Sequence, residues 1–153
     1  MEIGIGYKRV DGKQYKYYQV GASLMMWRDF FPNAQIYGID IQPSALFEDK
    51  RIKTFLCNQF DKQSLINLIA KIGFDIDVVI DDGSHIHQHQ VFTCRTLMPM
   101  LKKDVVYIIE DVQYSNTVQR RLSNFKLRLK EFPILPKHIN PIHNDKLLIV
   151  KNR

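Results

Sequence analysis

Two short apolar runs, each closed by a pair of acids, constrain this chain more than any other feature: FDIDVVIDDGSH over residues 74–85 and VVYIIEDVQYS over 105–115. Each begins as a buried strand, over 76–80 and 105–109, because short continuous apolar runs rich in branched side chains suit a strand covered on both faces. Neighbouring strands of an open parallel sheet bring their C-terminal ends to one edge, where ligands bind. Asp81, Asp82, Glu110, Asp111 and His85 would then meet in a small volume. So many like charges repel unless a cation, protons or a cationic ligand sits among them. The alternative is that Asp82 or Ser84 merely caps a helix starting near Ile86. One acid would fit that account, whereas two doublets that each close an apolar strand favour a site.

The remaining segments fall into alternating strands and helices. The opening EIGIG sets Glu2, Gly4 and Gly6 at alternate positions, and glycines where a strand turns let the backbone approach a ligand closely. Residues 7–20 carry Tyr7, Tyr15, Tyr17 and Tyr18 around an Asp11-Gly12 turn signal, and read as an inserted β-hairpin. A helix is expected over 23–31, capped by Ser23 and stopped by Pro32. A strand over 35–41 follows, ending at Asp40 and Ile41. An acid at that position can accept both hydroxyls of a ribose, at the usual spacing from the glycines once residues 7–20 are set aside.

A short helix or turn over 43–49, a strand over 52–57, the polar Asn58, Gln59 and Asp61, and a helix over 62–72 come next. The periodicity then predicts helices over 86–101, shortened or bent by Pro99, and over 117–131. The second would turn Val118, Leu122, Phe125 and Leu129 inward and Arg120, Arg121, Lys126, Arg128 and Lys130 outward. Strands over 137–142 and 146–151 would close the chain as an antiparallel hairpin. The sum is one α/β domain, 1–153, with a three-layer Rossmann-like fold on a mostly parallel seven-stranded sheet. In HIHQH, His85 and His89 share a helix face, so His87 reads as surface and His89 as a supporting residue.

Composition narrows the function classes. The 22 Lys and Arg against 16 acids give +6, but without a clustered, aromatic-interleaved basic patch a nucleic-acid partner is not expected. An RNA acceptor survives only as an alternative, on the basic face of the helix over 117–131. Cys57 and Cys94 supply neither a disulfide framework nor a thiolate metal site, which fits a reducing, cytoplasmic setting. No run is long enough to span a membrane and no signal-peptide pattern opens the chain.

Taken together, ExGxG, GASLMMWRDFFPNAQIYGIDI, IDDGSH and IEDVQYS resemble the class I S-adenosylmethionine-dependent methyltransferases. Within that class they resemble the metal-dependent macrocin and mycinamicin O-methyltransferases and the cephalosporin-hydroxylase-like proteins. The resemblance implies Mg²⁺ held by Asp82, Glu110 and Asp111, with His85 as general base beside Asp82. It implies S-adenosylmethionine cradled by Glu2, Gly4, Gly6, Asp40, Ile41, Gln59 and Asp61, with Asp81 facing the cofactor's amino group. The acceptor would be a hydroxyl of a sugar or other small molecule. Three expectations depart from the family: its N-terminal cover helices are absent, Asp104-Val105 stands where a glycine pair is common before the fifth strand, and residues 7–20 interrupt the cofactor loop. A homo-oligomer could then supply cover, and a degenerate fold kept as an interaction module is the non-catalytic alternative.

Overall fold

The computed structural model describes residues 1–6, 19–131 and 146–153. In chain order its elements are β1 (Glu2–Ile3), α1 (Ala22–Phe30), β2 (Ile36–Asp40), β3 (Glu48–Asp49), β4 (Ile52–Leu56) and α2 (Lys62–Ile72). There follow β5 (Val78–Asp81), α3 (His87–Leu97), β6 (Val106–Ile109), α4 (Ser115–Arg121), β7 (Lys126–Glu131) and β8 (Lys146–Lys151). The inserted hairpin expected over 7–20 lies almost wholly outside the described residues, and so does the strand expected over 137–142.

One sheet runs through the domain in the order β3-β4-β2-β1-β5-β6-β8-β7. Strands β4, β2, β1, β5 and β6 are parallel, while β8 pairs antiparallel with both β6 and β7. Six of the seven expected strands are present, the one over 137–142 lying outside the described residues; β7 and the two-residue β3, antiparallel at the β4 edge, were not expected as strands. From β1 the chain steps outward to β2 and β4, then returns to lay β5 on the other side of β1. That reversal opens a crevice beyond the carboxyl ends of β1 and β5.

The sheet is packed on both faces. Ile39, Val79, Tyr107, Ile109, Leu148 and Val150 are fully buried in a core with Leu65 and Leu68 of α2 and Val91 and Leu97 of α3. Leu24 of α1 packs into a second cluster with Ile5, Ile36 and Ile52. Each such Leu or Ile contributes about 1.5–3 kcal/mol by leaving water. No helix among the described residues is long and apolar enough to cross a membrane.

Two expectations about helices need correction. Ser23 does not cap α1, which starts from Gly21 without a side-chain cap; the Ser23 hydroxyl donates to the Glu2 carboxylate instead. The single helix expected over 117–131 is two elements, α4 and β7, because the segment from Phe125 to Lys130 also alternates with period two. Phe125, Leu127 and Leu129 are half-buried against the core, and Lys126, Arg128 and Lys130 are exposed. As a strand this segment pairs along its whole length with β8, from Lys126 opposite Lys151 to Glu131 opposite Lys146. A helix would have left that edge of β8 unpaired and turned Leu127 away from the core. The continuous basic helix face therefore does not form, and with it goes the support for an RNA acceptor. Pro99 acts as expected: α3 stops at Leu97 and a 3₁₀ turn over Met98–Met100 follows.

Candidate active site

The crevice is shaped first by backbone. The Gly4 amide donates to the Ile39 carbonyl (2.9 Å) and the Asp82 amide to the Ile3 carbonyl (3.0 Å), so the ends of β1, β2 and β5 are laced together. Gly4 has φ 87°, and a Cβ there would run into the Asp82 carbonyl group, 2.8 Å from its carbon and nearer still to its oxygen. The Asp40 carboxylate is fixed at the end of β2 by the Ile5 amide on Oδ2 (3.0 Å) and the Gln42 amide on Oδ1 (2.8 Å).

These loops enclose a cavity of about 330 Å³ lined by Gly4, Gly6, Asp40, Ile41 and Gln59, five of the eight residues expected to hold the cofactor. The other three face elsewhere. Asp61 caps α2, its Oδ1 accepting from the Gln63 amide at 2.9 Å. Glu2 is buried under α1, accepting from Ser23 and from Trp27 Nε1 (2.8 Å). Asp82, Asn58, Gln42, Ser84 and His89 also line the cavity. Ser84 was legible within DDGSH, and His89 through its spacing from His85. His89 Nδ1 lies 2.9 Å from Ser84 Oγ, and its ring stacks on Phe60 at 4.0 Å between centroids.

Beneath the cavity is a buried polar network that sequence reasoning missed, since a tyrosine in an apolar strand reads simply as core. Asp81 is fully buried. Its Oδ1 accepts from Gln59 Nε2 (3.1 Å) and its Oδ2 from the Tyr107 hydroxyl (3.0 Å). Gln59 Oε1 accepts from the Ser84 amide (2.8 Å), and Gln59 Nε2 also reaches Thr93 Oγ1 (3.3 Å). One network therefore ties the loop after β4 to the loop after β5 and to α3.

Burial pushes the Asp81 carboxyl from 3.8 up to about 6, against the lowering effect of its hydrogen bonds to Tyr107 and Gln59. A carboxyl whose pKa is higher folded than unfolded binds its proton more tightly in the native state. The stability it contributes is therefore full below about pH 4 and lost as the pH rises to about 6. The expected loss is on the order of 3 kcal/mol. Chemical denaturation of the wild type and Asp81→Asn in chelator, from pH 4 to 7, checks this. The wild type should lose stability relative to the variant across that window, and parallel curves would contradict it.

Above the network stands the acidic centre. His85 Nε2 lies 3.1 Å from Asp82 Oδ1 and His85 Nδ1 lies 3.3 Å from Asp111 Oδ2. One ligand atom from each of Asp82, His85 and Asp111 falls within 4.8 Å of the others. His85 (φ 56°) and Asp111 (φ 49°) both hold left-handed backbones, uncommon for residues other than glycine. The Asp82 hydrogen bond first, and then the charges of Asp111 and Asp82, push the His85 imidazole up to about 9, burial opposing them. Glu110 lies outside this close group but is coupled to it. Burial, followed by the charges of Asp82, Glu2 and Asp111, raises its carboxyl to about 7. Its backbone is held at both ends, its amide donating to the Asp81 carbonyl (3.0 Å) and its carbonyl accepting from Gln90 Nε2 (2.9 Å).

No protein-family model matches the chain. It is 40% identical over 112 residues to demethylmacrocin O-methyltransferase of Streptomyces fradiae, covering 73% of this chain and 27% of that protein. It is 38% identical over 113 residues to mycinamicin VI 2''-O-methyltransferase of Micromonospora griseorubida, covering 73% and 26%. The chain thus spans about a quarter of the length of these curated relatives. Among solved structures, the MycE methyltransferase in complex with Mg, SAH and mycinamycin VI superposes with a TM-score of 0.69 at 27% identity, over 99% of this chain and 44% of that one. Human methyltransferase-like protein 13 in complex with SAH superposes with a TM-score of 0.68 at 15% identity, over 99% of this chain and 70% of that one, a likeness of fold alone.

The fold is that of the class I S-adenosylmethionine-dependent methyltransferases. Within that class the chain is related to the macrocin and mycinamicin sugar O-methyltransferases.

Proposed function

We propose that this domain transfers a methyl group from S-adenosylmethionine to a hydroxyl on the sugar of a glycosylated small molecule, with Mg²⁺ as its metal. The observation that carries the proposal is the Asp82, His85 and Asp111 cluster, standing at the same sheet edge as the 330 Å³ cavity with Asp82 common to both. Oxygen donors on a half-buried acidic centre suit a hard divalent cation. Support comes from relatives named as O-methyltransferases, mycinamicin VI 2''-O-methyltransferase among them, and from a neighbour solved with Mg and SAH. The assignment covers one domain, in a cytoplasmic setting that fits the buried free thiols of Cys57 and Cys94.

Asp82 and Asp111, supported by Glu110, would hold the ion. Gly4, Gly6, Ile41 and Gln59 would shape the cofactor site. The Asp40 carboxylate keeps lone pairs for ribose hydroxyls beyond its two backbone bonds. When bound, the sulfonium supplies an electrophilic methyl and the metal a Lewis acid that acidifies a hydroxyl. His85 would take the hydroxyl proton. With both ring nitrogens facing carboxylates the imidazole is held charged, so this role requires Asp82 or Asp111 to release its nitrogen. Fixed loops supply the rest, the alignment of oxygen, methyl and sulfur.

Titration calorimetry with S-adenosylhomocysteine, followed by methyl transfer to a rhamnosylated polyketide with Mg²⁺ or with EDTA, tests the proposal. Saturable binding and turnover abolished by chelation are expected. An absence of binding heat would leave only an interaction module, and turnover that survives exhaustive chelation would remove the metal from the mechanism.

A further inference from the structure

We infer that His87 and Tyr114 form an aromatic platform for the acceptor, against which the C–H face of a pyranose ring packs. The inference rests on the sugar O-methyltransferase proposal and deepens it by naming the surface that selects the sugar. The two rings meet at 4.9 Å between centroids, tilted by 57°. They come from different loops, and those loops are the two that build the acidic centre. His87 opens α3 two residues after His85, and Tyr114 precedes α4 three residues after Asp111. The His85 Nδ1 to Asp111 Oδ2 contact of 3.3 Å draws the loops together. At about 3.3–3.6 Å per residue, the Cα atoms of His87 and Tyr114 can lie no farther than roughly 7 and 11 Å from those of His85 and Asp111. Both residues therefore stay close to the acidic centre in the chain.

Exposure separates Tyr114 from core, with His87 half-buried against it. Tyr114 is 58% exposed and the adjoining Ile86 47% exposed, so a large aromatic and a large aliphatic side chain stand in water beside a charged centre. His89, by contrast, has its ring stacked on Phe60 and its Nδ1 against Ser84. A pyranose offers both things this surface asks for, an apolar C–H face for the rings and adjacent hydroxyls for the acidic centre. A tyrosine suits that task because it presents wide contact area with few rotatable bonds.

The test is a proton NMR titration of the full chain, with Mg²⁺ and S-adenosylhomocysteine present, using methyl α-L-rhamnopyranoside as the probe and catechol as a flat aromatic diol. The rhamnoside should bind saturably with transfer of saturation from the Tyr114 ring. Tyr114→Ala should weaken it roughly 3- to 10-fold, the scale of one lost ring contact. Tyr114→Phe should stay within twofold of wild type. S-adenosylhomocysteine affinity, measured on each variant, verifies that the fold is retained. No saturable rhamnoside binding, unchanged affinity in Tyr114→Ala, or binding of catechol in preference to the rhamnoside would overturn the platform. Rhamnoside binding with the expected variant pattern but without methyl transfer would instead sink the proposed reaction and leave the platform standing. Methyl transfer with an unaltered KM in Tyr114→Ala would do the reverse.

Discussion

His85→Asn is expected to lower kcat for methyl transfer by about 10²- to 10⁴-fold, the range a positioned general base contributes. The affinity for S-adenosylhomocysteine should move less than twofold, because His85 does not line the cavity proposed for the cofactor. Asparagine is the substitution of choice for a conformational reason. His85 sits at φ 56°, a left-handed backbone that asparagine tolerates far better than alanine does. An alanine variant would mix loss of the imidazole with rearrangement of the loop after β5. Single-turnover rates at saturating acceptor, with Mg²⁺ present, isolate the chemical step. The pH profile gives a second readout, since the acidic limb set by deprotonation of His85 should vanish in the variant. A variant that keeps more than a tenth of the wild-type rate would remove His85 from proton transfer.

The same residue shows why part of the site was legible in the sequence and part was not. Strand ends reveal themselves through a change of chemistry: VVIDD and VYIIED pass from apolar to acidic within one residue. A parallel sheet then has to bring those ends together, and the structure does so for Asp82, His85 and Asp111. The glycines and Asp40 were legible for the same reason, lying where strands give way to loops. Asp81 was not, because adjacent residues in a strand point to opposite faces. Of two neighbouring acids one must turn inward, and the structure has Asp81 meeting Tyr107 and Gln59 while Asp82 meets the crevice. Asp61 illustrates a different ambiguity, since an acid after a strand and before a helix serves equally well as cap or ligand, and here it caps. The segment over 125–130 failed for want of a partner. Its pattern satisfies both periods, and pairing with β8, some twenty residues on, decides between them.

Gly4→Ala is the substitution expected to damage the fold and the site together. Alanine at φ 87° carries a left-handed penalty of about 1–2 kcal/mol. Its methyl would also meet the Asp82 carbonyl, which is backbone and cannot swing aside as a side chain would. Overpacking of that kind costs about 1–3 kcal/mol more. At roughly 2–4 °C per kcal/mol for a domain of this size, the melting temperature should fall by about 4–20 °C. Relief of the clash would push the loop after β5 away from β1 and carry Asp82 with it. Affinity for S-adenosylhomocysteine and for Mg²⁺ should therefore drop at the same time. Gly73→Ala is the control for the clash, because Gly73 also has a positive φ, 87° with ψ 170°, but a Cβ there would have no neighbour within 4 Å. It should lower the melting temperature by the backbone penalty alone and leave both affinities intact. Equal destabilisation by the two variants would mean that the approach of β1 to Asp82 carries no energetic weight. Full cofactor affinity in Gly4→Ala would mean that this crossing does not shape the crevice.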